Sequence, residues 1–197
     1  MLQHSNLEFM DLTGQFLVAM PGMGDKRFEK SVILLCAHSR DSTLGLIVNQ
    51  PAVDLSFDAL LQQIEITSIQ ENPGDLAKTP IHIGGPVYHG RGAVLLPSDY
   101  NQNDSTLSVG ADFGMTATRD VLEDIANGCG PEKRILCLGY AGWGAGQLED
   151  EIGRNGWLTT EASADIVFEA PNDTKWEAAL ATLGIDPLTL SAAAGRA

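Results

Sequence analysis

Apolar residues in the first half of the chain fall in short runs cut by glycine, proline and polar clusters, a spacing that predicts strands and tight turns. Gln15 to Met20 is the first such run, stopped by Pro21, Gly22 and Gly24. Ser31 to Ala37 (SVILLCA) is apolar throughout and predicts a strand buried on both faces, because alternation disappears when neither face meets water. Leu44 to Asn49 follows a polar turn at Ser39 to Ser42, which predicts an antiparallel hairpin. Beyond Pro51, Ser56 is placed to cap a helix ending near Gln63, with Phe57, Leu60, Leu61 and Ile64 on one face. Glu71 to Lys78 reads as a polar loop.

Ile81 to Ile83 and Ala93 to Leu96 predict two further strands, antiparallel neighbours across Gly84-Gly85-Pro86, with a weaker strand at Leu107 to Val109. In the second half, Thr118 is placed to cap a helix burying Val121, Leu122, Ile125 and Ala126, and Gly128 ends it. Arg134 to Tyr140 predicts a strand, Gly139 to Gly146 (GYAGWGAG) a glycine-rich turn, and Gln147 to Asn155 a helix. A strand at Ile166 to Phe168 and a helix at Thr174 to Leu183 complete the chain. Strands first, helix and strand alternating later, and no internal repeat or linker predict one α+β domain over residues 1–197, with a mixed, largely antiparallel sheet and flanking helices. Residues 1–13 and 191–197 are expected to be loosely held.

Charge narrows the function. Twenty-six Asp and Glu against twelve Lys and Arg give a net charge of −14, which disfavours direct nucleic-acid binding. Lys26, Arg27 and Lys30 form the only dense basic group, and Glu29 interrupts it. No apolar run approaches the roughly 20 residues that cross a bilayer. The start, with His4, Glu8 and Asp11, lacks a signal-peptide pattern. Cys36, Cys129 and Cys137 suggest neither a disulfide framework nor a zinc motif, so a cytoplasmic location is expected.

Cys36 and His38, two apart on a predicted strand, are expected on one side and are the catalytic candidates for cysteine chemistry, against a reading of Cys36 as a small buried hydrophobe. A metal site from Cys36, His38, His82 and His89 matches no established ligand spacing, so neither a metal nor a cofactor is expected. The glycine-rich turn lacks GK[ST] and the spacing of GxGxxG, and Glu149, Asp150 and Glu151 would repel a phosphate there; these acids read as a solvated helix start. Trp157 and Trp176 read as core anchors on helices, whereas Trp143, in the glycine turn, is expected to be exposed. The glycines permit close backbone approach, so Gly84, Gly85, Pro86, Tyr140, Trp143, Gly146 and Gln147 are the candidate ligand or partner surface.

FLVAMPGM at Phe16 to Met23, SVILLCAH ending at His38, LGLIVNQP at Leu44 to Pro51 and IGGPV at Ile83 to Val87 together resemble the bacterial YqgE/AlgH family. LGYAGWGAGQLEDEI ending at Ile152, NGWL at Asn155 to Leu158, and IVFEAP followed by Trp176 and LGID extend the resemblance to the C-terminus. The chain departs from it at Val94-Leu95-Leu96-Pro97, where relatives place a histidine after the valine-leucine pair, so that histidine's role does not carry over. The resemblance implies a cytosolic protein with a mixed-sheet α+β fold and no assigned activity. It also implies a regulatory association, since one member is described as a transcriptional regulator of alginate production. The residues point to a non-catalytic binding or regulatory module acting on an unknown protein or small molecule. A Cys36/His38 enzyme and a transcriptional regulator are the alternatives.

Overall fold

The computed structural model describes residues 9–67, 79–100 and 105–190. β1 (Gln15–Ala19), β2 (Val32–His38) and β3 (Ser42–Ile47) form where the apolar runs lie, and β2 pairs antiparallel with both neighbours. No residue from Val32 to Cys36 is more than 1% exposed. Both faces are covered: Leu34 and Cys36 pack in a core with Trp176 and Leu180, Ile33 and Leu35 in another with Trp143, Leu148 and Trp157. α1 (Phe57–Gln63) starts at Ser56, whose hydroxyl accepts the Ala59 N–H.

β4 (Ile81–Ile83), β5 (Val87–Pro97), β6 (Leu107–Val109) and β7 (Phe113–Thr116) follow, then α2 (Arg119–Ala126) and the ten-residue β8 (Ile135–Gly144). α3 (Gln147–Gly153), β9 (Trp157–Glu161), α4 (Ala164–Phe168) and α5 (Lys175–Thr182) close the chain. The strands build one curled sheet in the order β6-β7-β5-β8-β3-β2-β1-β9, with β4 parallel beside β8 and the other pairings antiparallel among the described residues. A third core joins α1 and α2 to β5 and β8 through Phe57, Leu61, Val121, Ile125, Val94 and Leu136. The architecture is the expected α+β fold.

Several elements differ from expectation. β4 and β5 are not neighbours: β8 lies between them. GYAGWG is not a turn but the second half of β8, with Ala141 and Trp143 buried and Gly142 and Gly144 exposed in strand alternation. Ile166 to Phe168 lies in helix α4, and Trp157 sits on a strand pairing with β1 rather than on a helix. Thr118 occupies the cap position of α2, yet its hydroxyl meets that of Thr116 at 3.2 Å instead of capping. The polar loop Glu71 to Lys78 and the tails 1–8 and 191–197 lie outside the described residues. Leu12, in the N-terminal stretch, is 8% exposed and belongs to the core beneath α3.

Gly84-Gly85-Pro86 carries the chain across β8 from the edge shared with β4 to the edge shared with β5. A Cβ on Gly85 would lie 2.1 Å from the Tyr140 carbonyl carbon, so only glycine allows the crossing. Facing it, Gly139 adopts φ +71, and a Cβ there would stand 2.7 Å from the Gly85 oxygen.

Candidate functional site

Cys36 and His38 do not meet. A β-bulge between Leu35 and Ala37 shifts the register against β3, so one extra residue reverses the alternation that would have put both side chains on one side. Cys36 faces the core containing Trp176, where its thiol donates to the Leu34 carbonyl at 3.5 Å. Burial, and then the neighbouring Cys137, push that thiol well above its ordinary value, the reverse of an activated thiolate.

His38 turns instead toward α3. Its Nδ1 accepts the Leu12 N–H at 3.0 Å, which assigns the proton of the neutral ring to Nε2, 3.1 Å from Glu149 Oε1. With both nitrogens engaged, His38 has no lone pair for a general base; it positions Glu149. The imidazole is 2% exposed and the carboxylate 48%. His82 and His89 do not join them: His82 bonds Asn172, and His89 is exposed beside Gly139.

Neither Glu149 nor Glu151 is merely a solvated helix-start acid. Glu151 Oε2 accepts the indole N–H of Trp143 at 3.0 Å and of Trp157 at 2.8 Å, and Oε1 accepts from Gln147 at 3.0 Å. The two indoles meet edge to face, 6.0 Å apart. Trp143, expected at the surface, is 5% exposed because strand alternation turns it inward.

Of the predicted surface, Gly84 and Gly85 are buried by the crossing, Pro86 is half-buried, and Gly146 and Gln147 are exposed. Gln147 Oε1 accepts the Gly144 N–H at 3.1 Å. The half-buried Tyr140 is joined by Tyr88, which the sequence reading missed. Between Val87, opposite Tyr140, and Gly92, opposite Leu138, four residues of β5 bulge away from the single residue Gly139. Tyr88 lies there at φ +50 and is 67% exposed, its ring 6.1 Å from that of Tyr140 and 5.9 Å from the Arg91 guanidinium carbon.

The family model described as AlgH-like (DUF179) matches residues 16–188. A UPF0301 protein of Ruegeria pomeroyi is 57% identical over 188 residues, 95% of this chain and 100% of the relative. The chain belongs to the YqgE/AlgH family. A UPF0301 protein of Cereibacter sphaeroides is 50% identical with the same two coverages. The solution structure of AlgH from Pseudomonas aeruginosa superimposes on this YqgE/AlgH chain with a TM-score of 0.75 at 40% identity, each chain covered completely. A crystal structure of a Corynebacterium diphtheriae protein, at 22% identity and TM-score 0.69 over 92% of this chain and 91% of that one, shares the fold.

This YqgE/AlgH chain also buries two bases: Lys175, which the sequence did not mark, and His82, which it offered only as a metal ligand. Lys175 is 3% exposed, and its Nζ donates to the Val48 and Val167 carbonyls, each at 2.8 Å. His82 is 1% exposed, its Nε2 2.9 Å from Asn172 Oδ1, and its Nδ1 has no partner among the described residues. Burial pulls Lys175 down to about 8, so from there to 10.5 the unfolded chain binds more protons and stability rises with pH. Burial pushes Cys137 up to about 12 and Cys36 up as well, so above pH 9, the ordinary thiol value, two thiols reverse the trend. Denaturation midpoints across this range should peak near pH 9: Lys175 alone adds about 1 kcal/mol between pH 8 and 9, and the two thiols offset most of it, leaving a net rise of about 0.3 kcal/mol. Lys175→Met should abolish that rise.

Proposed function

We propose that the chain is a non-catalytic binding module that acts through a protein partner docked on the Tyr88–Tyr140 surface beside the Gly84-Gly85-Pro86 crossing. The observation that carries this reading is Tyr88, a large aromatic held in left-handed backbone at a surface bulge. Such a conformation costs a non-glycine residue about 1–3 kcal/mol, and side chains kept there cluster at functional sites. Tyrosine and arginine are the residue types that dominate interface energetics, and Arg91 lies over the Tyr88 ring.

The floor beside them suits close approach. Ala141 to Gly144 pair with β3 on one edge, no described strand covers the other, and Gly142 and Gly144 are exposed. An extended partner segment could add its backbone to that edge, with Tyr88 and Tyr140 as side-chain grips. A cytoplasmic regulatory role exerted through a partner accords with the net charge of −14 better than contact with nucleic acid. Among the described residues no helix is long and apolar enough to cross a membrane.

A photo-cross-linking residue in place of Tyr88 should give one discrete adduct in cells, and the same residue in place of Asp58, exposed on α1, should not. Tyr140→Ala or Arg91→Ala should weaken binding of the identified partner about thirtyfold, the loss of about 2 kcal/mol expected at an interface anchor. The same adduct at position 58, or no adduct at 88, overturns the reading.

A further inference from the structure

A cavity of about 420 Å³ lies against α3, lined by Phe9, Leu12, His38, Arg40, Glu149 and Ile152 among others. That volume falls within the range of small-molecule sites. Phe9, Met10, Leu12 and Ile152 make its apolar wall. Its charges are of opposite sign and differently held: the His38 imidazole fixes Glu149 through Oε1, whereas Arg40 reaches out from the surface, its guanidinium carbon 5.6 Å above the Phe9 ring.

Oε2 of Glu149 has no protein partner among the described residues, and Arg40 makes no ion pair with it there. An orienting histidine costs a buried polar group, and a half-exposed carboxylate and an exposed guanidinium without ion-pair partners among the described residues, beside an apolar wall, are complementary to a ligand carrying both charges. We propose that this cavity binds an apolar amino acid or a short apolar peptide: the ammonium on Glu149, the carboxylate on Arg40, and the side chain against Phe9, Leu12 and Ile152.

A purely cationic ligand would be repelled by Arg40, and a purely anionic one by Glu149. The site is distinct from the Tyr88 surface, so failure at either leaves the other standing. His38 acts as a positioning residue, holding the carboxylate and the Leu12 backbone together without touching the ligand.

Backbone and methyl chemical-shift titrations with leucine, phenylalanine and the dipeptide Leu-Leu test it, with isoamylamine and isocaproate as leucine analogues lacking one charge. Saturable shifts confined to Phe9, Leu12, His38 and Ile152 are expected with at least one zwitterion. Each single-charge analogue should bind at least about tenfold more weakly, the loss of about 1.4 kcal/mol of one ionic contact. Glu149→Gln preserves an acceptor for the His38 Nε2–H, and Arg40→Gln changes an exposed side chain, so both should melt near the parent temperature while losing about tenfold in affinity. Three results overturn the proposal: no saturable shift with any zwitterion, equal binding of the amine analogue, or unchanged affinity in both variants.

Discussion

Glu151→Ala should destabilise the fold by about 3–5 kcal/mol, because it leaves two buried indole N–H groups without an acceptor at about 1–3 kcal/mol each and removes a charge-assisted contact. Trp143 and Trp157 are 5% and 2% exposed and pack with Leu148 of α3, and the half-buried Glu151 carboxylate is the acceptor for both indoles. For a chain of this size, a melting temperature lower by about 6–20 °C is expected. Glu151→Gln keeps one oxygen that both indoles can share and should cost clearly less. Thermal and urea melts followed by tryptophan emission check both variants. An alanine variant within about 0.5 kcal/mol of the parent would show that the two indoles find other acceptors.

The legible parts of this fold are those where solvent exclusion writes a pattern. SVILLCA reads as a doubly buried strand because it is one, and Ser56 and the face Phe57–Leu61 mark α1 through capping and spacing. Ile166 to Phe168 is too short to distinguish period 2 from period 3.6, and its apolar character fits α4 as well as a strand. In GYAGWG, glycine composition outweighed an alternation that was present: Ala141 and Trp143 inward, Gly142 and Gly144 outward. The bulge at Cys36 leaves no mark in the sequence, and it undoes the strongest catalytic candidate by rotating His38 away from the thiol. The same rotation brings His38 to Glu149, across 111 positions of chain, a pairing that only the tertiary structure could reveal. Tyr88 and Lys175 were missed for the same kind of reason. Backbone sign and burial of a lysine are decided by neighbours distant in sequence, Gly139 for one and Val48 for the other.

Acid should weaken the protein through His82 before its carboxylates contribute. Burial, with the Lys175 cation acting in the same direction, pulls His82 down to about 4 against an ordinary 6.5, and the bond to Asn172 only partly opposes this. In that interval the unfolded chain binds the proton and the folded chain does not. Stability is therefore fully present above pH 6.5 and is lost as pH falls toward 4, by about 3 kcal/mol in total. Asp11 and Asp25 act lower: hydrogen bonds to Thr13 and Arg27 hold them below the ordinary 3.8, so their share is lost only under more acid conditions. Among the described residues, the groups facing His82 are Asn172 from the turn before α5, Lys175 from α5 and Cys137 from β8; none of the three carries a negative charge in this window. Among the described residues no compensating anion is therefore at hand when the imidazole protonates. His82→Gln retains a donor for Asn172 Oδ1 and cannot titrate, so its urea midpoint should be nearly flat where the parent's falls. If both proteins lose the same stability between pH 6.5 and 4, the buried imidazole is not the acid-sensitive group, and the loss belongs to the carboxylates.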